Sequence, residues 1–344
     1  MNNQIIELLK DNKKAVIKFV MNRSIEKNIG KVDIAPDLFE RDVSYILDYL
    51  IQSAELNSPL LFADFTAWLT DLLINLEIDA DHIRMSYDFI REGIENFIGE
   101  AGMLNEYFTP AYKTFSHAAP WKMETILPPE SDLTGKYIRY LIKGDRKNAR
   151  DLIINTFQSG MKIQDIYMDI LAPAQRLIGF LWQSNKISIA QEHYATAVTQ
   201  LIMSELYPNI FQNSQYNGYK MAGLAIGSEL HELGIRMVTD FFEMGGWDTF
   251  FYGSNMPAQS IINMLDQDDF NLLALSATMM IHLNDLKEII REIRNQDRFN
   301  KVKILIGGNP FNVDPNLWKT LGADGTAQNA ELAIGLSNNW FNLS

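Results

Sequence analysis

The chain of 344 residues contains no cysteine. Disulfides, thiolate zinc sites, cysteine nucleophiles and cysteine-ligated iron–sulfur clusters are thereby excluded. Positive charge is scarce: 30 Lys and Arg stand against 43 Asp and Glu, for a net charge of −13 and a sequence pI of about 4.9. Direct grip on nucleic acid needs a basic face for phosphates, and no dense Lys/Arg cluster interrupts this acidic sequence. Long apolar runs are also missing, and none approaches the length that spans a membrane. The opening "MNNQIIELLKDNKKAVIKFV" mixes charged residues among its apolar ones and does not read as a signal peptide. The expectation is a cytoplasmic protein with no membrane or direct nucleic-acid partner. What is present, 47% hydrophobic and 21% charged residues, is ordinary for a soluble globular chain of two or three domains.

Three textures follow one another. Residues 1–115 repeat apolar residues at spacings of three and four, as in "LFERDVSYILDYLIQSAEL" and "SPLLFADFTAWLTDLLINL", which predicts an all-helical domain. It carries no chemistry-bearing motif; His82 reads as a solvated helix start and Trp68 as core. Residues 116–130, with three prolines and His117, read as a linker. Helical spacing returns over 131–143, 146–159, 163–183 and 189–206, so residues 131–209 predict a four-helix bundle. From residue 220 to 344 short apolar runs take over: "MAGLAIG", "WDTFFYG", "FNLLALSAT", "KVKILIGG" and "ADGTA". Helical segments at 232–245, 257–266, 284–296, weakly near 314–321, and at 329–340 separate them or follow the last. Buried strands alternating with helices predict a five-stranded parallel, doubly wound Rossmann-like α/β domain. Such sheets bind ligands at the carboxyl ends of their strands. His231, Ser276, Thr278, Gly307 and Gly308 all fall just past predicted strands.

Alone, Glu229-x-His231-x-x-Gly234 describes a helix start with an exposed histidine. Followed by Ser276-Ala277-Thr278 after the third strand, Gly307-Gly308 after the fourth and "GADGTAQNAELAI" near the end, it resembles the cobalamin-binding domain of methionine synthase, corrinoid methyltransferases, mutases and cobalamin-dependent photoreceptors. The resemblance implies that His231 is the lower axial ligand of cobalt. A neutral imidazole nitrogen is a good ligand, and its second nitrogen needs an acceptor to fix the tautomer. The family places aspartate two residues before the histidine; here it is Glu229, one methylene longer. Gly234 would let the backbone pass close to the corrin. Ser276 and Thr278 would offer hydroxyls to the nucleotide tail, and Gly307 and Gly308 would be small where it passes. For a single hydroxyl, strand-end capping is an equally good explanation.

The upstream bundle adds "FLWQSNKISIAQEHYATAV", in which nine residues separate Trp182 from Glu192-His193. That spacing resembles the sensor module of CarH-type adenosylcobalamin photoreceptors, over about residues 131–344. Ser188-Ile-Ala-Gln191 is a capping-box sequence, so a helix is expected from Ser188 with Glu192 in its positive first turns. The resemblance implies that Trp182, Glu192 and His193 surround the adenosyl group above the corrin. Two features depart from it. No basic recognition helix occurs in residues 1–115, so output through a protein partner or a homo-oligomer is expected. Gln183 also stands where light-locking relatives carry a second histidine ligand, which leaves His193 as the nearest substitute. The expectation is an adenosylcobalamin-binding light sensor and not an enzyme. The alternative is a corrinoid methyl carrier of a methyltransferase system, which would have little need of Trp182. His282 in "TMMIHLNDL" receives no role.

Overall fold

The computed structural model describes residues 3–27, 36–99, 101–117, 122–211 and 215–343. The chain divides into two compact units, Met1–Trp121 and Lys122–Ser344. The first is helical throughout its described residues, with long helices Asn3–Glu26, Pro36–Glu55, Pro59–Asn75 and Ala80–Ile98 and a shorter one at Asn105–Thr114. Local signals set the ends. Asp79 accepts from the Asp81 amide to open one helix, and Gly99, at φ +74°, closes it. The apolar stripes meet in one core that includes Val20, Leu50, Phe62, Tyr87, Ile90 and Phe108. Among the described residues no helix is long and apolar enough to cross a membrane.

The second unit joins bundle and sheet. Helices Leu133–Ile142, Arg146–Gln158, Ala172–Gln183 and Ile189–Leu206 form the bundle, the third preceded by a turn at Ile163–Asp165 and a π-helical segment at Ile166–Leu171. Proline explains how that junction is satisfied. Pro173 has no N–H to give the Asp169 carbonyl four residues back, and Thr134 Oγ1 donates to that carbonyl at 2.8 Å. The capping box at Ser188 forms as expected, with Ser188 and Gln191 bonded in both directions. The expected linker divides. Phe115–His117 is a 3-10 turn and Met123–Ile126 a helical turn, Arg139 binds the Pro128 carbonyl at 2.8 Å, and 118–121 lie outside the described residues.

Strands β1 (Lys220–Ile226), β2 (Asp248–Met256), β3 (Leu272–Ser276), β4 (Lys303–Gly307) and β5 (Gly325–Thr326) form one parallel sheet in the order β2-β1-β3-β4-β5. β3 is buried along its whole length and β1 along all but its first residue, which is why they read as continuous apolar runs and not as alternations. The chain leaves β1 to one side and β3 to the other, so their carboxyl ends flank the topological switch point. Helix Leu233–Met244 follows β1 and has two partners. Ile235 and Phe242 pack with the sheet residues Met221 and Leu272, while Met237 and Phe241 belong to the bundle core. The weak helix expected near 314–321 is shorter, Leu317–Leu321, and a second short helix, Asn309–Val313, precedes it.

Candidate functional site

The loop after β1 carries Glu229 and His231 to the switch point. Glu229 is almost completely buried, at 1% exposure, and both its oxygens are used. Oε1 accepts from the His231 amide at 3.0 Å and lies 2.5 Å from His231 Nδ1. Oε2 accepts from the amides of Thr278 at 2.7 Å and Met279 at 3.0 Å, in the loop after β3. One carboxylate thus ties the two strand ends together across the crevice. Burial alone would push its carboxyl up; the His231 side chain, with the His231 and Met279 amides, outweighs burial and holds it at about 2.

This arrangement decides which nitrogen of His231 is available. An ionised carboxylate only accepts, so Nδ1 carries the hydrogen and Nε2 is left with its lone pair when the ring is neutral. The side chain is 60% exposed. Its pKa is raised, first by the hydrogen bond to Glu229, against burial, with further help from the charges of Glu229 and Glu192. A partner that raises proton affinity also raises donor strength, so a metal and a proton compete for Nε2. Among the described residues no three His, Asp or Glu side chains are grouped to hold a metal.

The other expected residues fall into two groups. Ser276 ends β3, buried, in register with Gly307 at the end of β4, and the Ala277 amide donates to the Gly307 carbonyl at 3.0 Å. Gly308 adopts φ +120°, and a Cβ there would lie 2.0 Å from the Ala277 carbonyl oxygen; only glycine fits. Gly307 and Gly234 have nothing within 4 Å of a Cβ, so the space before them is open and neither is forced by packing within the chain. Thr278 serves through its amide, which binds Glu229, whereas the expectation rested on its hydroxyl.

The bundle supplies the second group. Trp182 is the penultimate residue of helix Ala172–Gln183 and is substantially exposed. Glu192 lies in the first turn of helix Ile189–Leu206, and its charge reaches His231. His193 is exposed and turned to its neighbour, with Nδ1 2.5 Å from Glu192 Oε2. Gln183 is buried. Bundle and loop are joined just beyond His231: Gln200 donates to Glu232 at 3.0 Å, Arg236 to Ser204 at 2.8 Å and Tyr167 to Asp240 at 2.8 Å. Glu232, Arg236 and Asp240 are spaced four residues apart and so share one helix face. Sequence reasoning passed over these contacts and left His282 without a role. The signal available for His282 was a single histidine in an apolar stretch at a helix start.

Residues 219–335 match a family model described as a B12 binding domain, and residues 133–207 match a second model of the same description. These two stretches belong to the cobalamin-binding domain family. The cofactor they indicate is a corrinoid. The chain is 19% identical to a corrinoid protein of Desulfitobacterium hafniense over 58% of its own length and 92% of that protein's. It is 25% identical to monomethylamine corrinoid protein 1 of Methanosarcina acetivorans, over 53% of this chain and 84% of the relative. In fold it resembles the monomethylamine corrinoid protein of Methanosarcina barkeri, with a TM-score of 0.55, 19% identity, and coverage of 62% of this chain and 100% of the other. Cobalamin binding is thus common ground with the sequence reading. These relatives are corrinoid proteins, and neither the photoreceptor likeness nor the adenosyl form is carried by them.

Proposed function

We propose that the chain is a corrinoid carrier: a non-catalytic subunit that holds cobalamin between its bundle and its sheet and presents a cobalt-bound methyl group to partner proteins. The observation that carries it is His231, oriented by buried Glu229 at the switch point, with Nε2 left over. Relatives named for monomethylamine, spanned over most of their length, favour the methyl group over the adenosyl group. Cobalamin bound at this site would supply a cobalt able to accept and release a one-carbon group. The residues of the chain do the rest. His231 would hold the cobalt, and Glu229 would fix its tautomer. Gly307, Gly308, Ser276 and Thr278 would receive the nucleotide tail, and Gly234 would leave room for the corrin. Trp182, Glu192 and His193, on the bundle, would stand nearest the group that the cobalt carries.

A specific observation favours a second reading, the adenosylcobalamin light sensor. An exposed tryptophan and a carboxylate whose field reaches His231 stand on the cap, and a ribose hydroxyl can donate to such a carboxylate while the indole covers an adenine. The experiment offers the full chain methylcobalamin and adenosylcobalamin separately in the dark, with wild type and Trp182→Ala. The carrier reading expects affinities within about tenfold of each other, equivalent to about 1.4 kcal/mol, and little change in the variant. A strong adenosyl preference lost in Trp182→Ala, with a change of oligomeric state under green light, would establish the sensor instead.

A further inference from the structure

Helix Leu233–Met244 turns a line of ionisable residues toward the bundle: Glu232 at its start, then Arg236 and Asp240, with Glu243 in the last turn. The first two meet neutral polar side chains, Gln200 and Ser204, at the end nearest His231. Asp240 lies deeper, beside Met237 and Phe241, which belong to the bundle core. It is buried, and its carboxylate accepts from the Tyr167 hydroxyl at 2.8 Å. Arg236, one turn before it, donates to Ser204 and reaches Asp240 only through its charge. Glu243, which opposes that charge, is bonded to Thr249 of β2. From the bundle, the ionisable groups nearby are two phenols: Tyr167 of the segment Ile166–Leu171, and Tyr207 at the end of helix Ile189–Leu206. The short helix Pro208–Phe211, packed on the same helix, has no ionisable side chain. Among the described residues, no charged group of β1, β2, β3 or helix Ala330–Phe341 acts on Asp240.

A carboxylate in that place has a hydrogen bond but no bonded cation, and burial penalises its charge. The neutral acid fits the same place at less cost and keeps its contact with Tyr167. Separating the bundle from the sheet returns Asp240 and Tyr167 to water. Separation therefore relieves the charged form and not the neutral one. We propose that Asp240 and Tyr167 form a proton-controlled latch between bundle and sheet: a proton on Asp240 keeps the two closed, and its loss lets them part at the crevice that holds His231. The closed form binds that proton more tightly than the open form, in which Asp240 meets water. Closure is thus strongest below the ordinary value of 3.8 and weakens as the pH rises from there to that of the closed form, about 6. Between pH 5.0 and 7.5 the ratio of open to closed chains rises about tenfold. The latch stands on contacts within the chain; its use, baring a bound cobalt to a partner protein, rests on the carrier reading.

Lys147 on the bundle and Lys301 in the turn before β4 are exposed, and the chain has no cysteine of its own. Lys147→Cys combined with Lys301→Cys therefore takes a fluorescent donor and acceptor at those two places alone. Single-molecule energy transfer on the full, cofactor-free chain, at pH 5.0 and 7.5 and equal ionic strength, reads the open fraction. The open-to-closed ratio is expected to rise about tenfold with pH, and Asp240→Asn, neutral at both values, to remove most of that rise. Tyr167→Phe, which deprives the carboxylate of its donor, opens the chain more at pH 7.5 than at pH 5.0. A ratio that does not move with pH, a single closed distance at both values, or an undiminished rise in Asp240→Asn overturns the proposal. If Asp240→Asn does not fold, Glu243→Gln decides: removing the like charge has to shrink the rise. No cofactor is present in this measurement, so failure of the carrier reading, which cobalamin affinity reports, is a separate outcome from a latch that ignores pH.

Discussion

Replacing Asp240 by asparagine should make the second unit more stable at neutral pH and leave little gain in acid. Asp240 is 5% exposed, on the face of helix Leu233–Met244 that meets the bundle. Its carboxyl is pushed from 3.8 to about 6, first by burial, which the Tyr167 hydroxyl and the Arg236 charge only partly offset and Glu243 aggravates. Tyr167 is itself raised, by burial and then by Asp240, and Asp240 adds to the raised value of Tyr207. A carboxyl whose folded value is raised binds more protons in the folded state. Its penalty is absent below the unfolded value, grows between 3.8 and about 6, and is complete above. That displacement is worth about 3 kcal/mol at pH 7.5 and about 0.5 kcal/mol at pH 4.0. The pH-independent effects of the amide, its weaker bond to Tyr167 and its extra N–H groups, enter equally at both values. The difference between wild type and Asp240→Asn should therefore shift by about 2.5 kcal/mol between pH 4.0 and 7.5, in favour of the variant at the higher pH. For a unit of this size that is about 5–10 °C in Tm. Calorimetry of both proteins at the two pH values checks it. An equal difference at both would refute the claim that a charged Asp240 opposes folding.

Two further outcomes concern the sheet edge and the cap. Gly308→Ala should cost more than about 2 kcal/mol in urea unfolding, since a Cβ at φ +120° meets the Ala277 carbonyl at 2.0 Å, while Gly307→Ala, facing open space, should stay within about 1 kcal/mol. Reversed ranks would refute the assignment. Ser188→Ala should lose about 1 kcal/mol by opening the capping box, and Gln191→Ala should lose more, because Gln191 also donates to the Ile142 carbonyl at 3.1 Å. Both are read by thermal melts, and equal losses would deny that tie.

The sequence by itself determined the elements and their order. A run such as "FNLLALSAT" becomes the buried strand Leu272–Ser276, and the spacing of Ser188 and Gln191 fixes a helix start, because periodicity and capping are local physics written over a few residues. It also marked the strand ends where His231 and Thr278 lie. Which atoms meet was settled only by the tertiary structure. That Glu229 reaches the amides of Thr278 and Met279, about fifty residues on, follows from β1 and β3 pairing as neighbours. The same pairing brings His282 to Glu229, and the packing of helix Leu233–Met244 against the bundle brings Tyr167 to Asp240. Contacts between residues far apart in the chain leave no periodic trace. A buried histidine and a solvated one are the same letter until the sheet has closed around one of them.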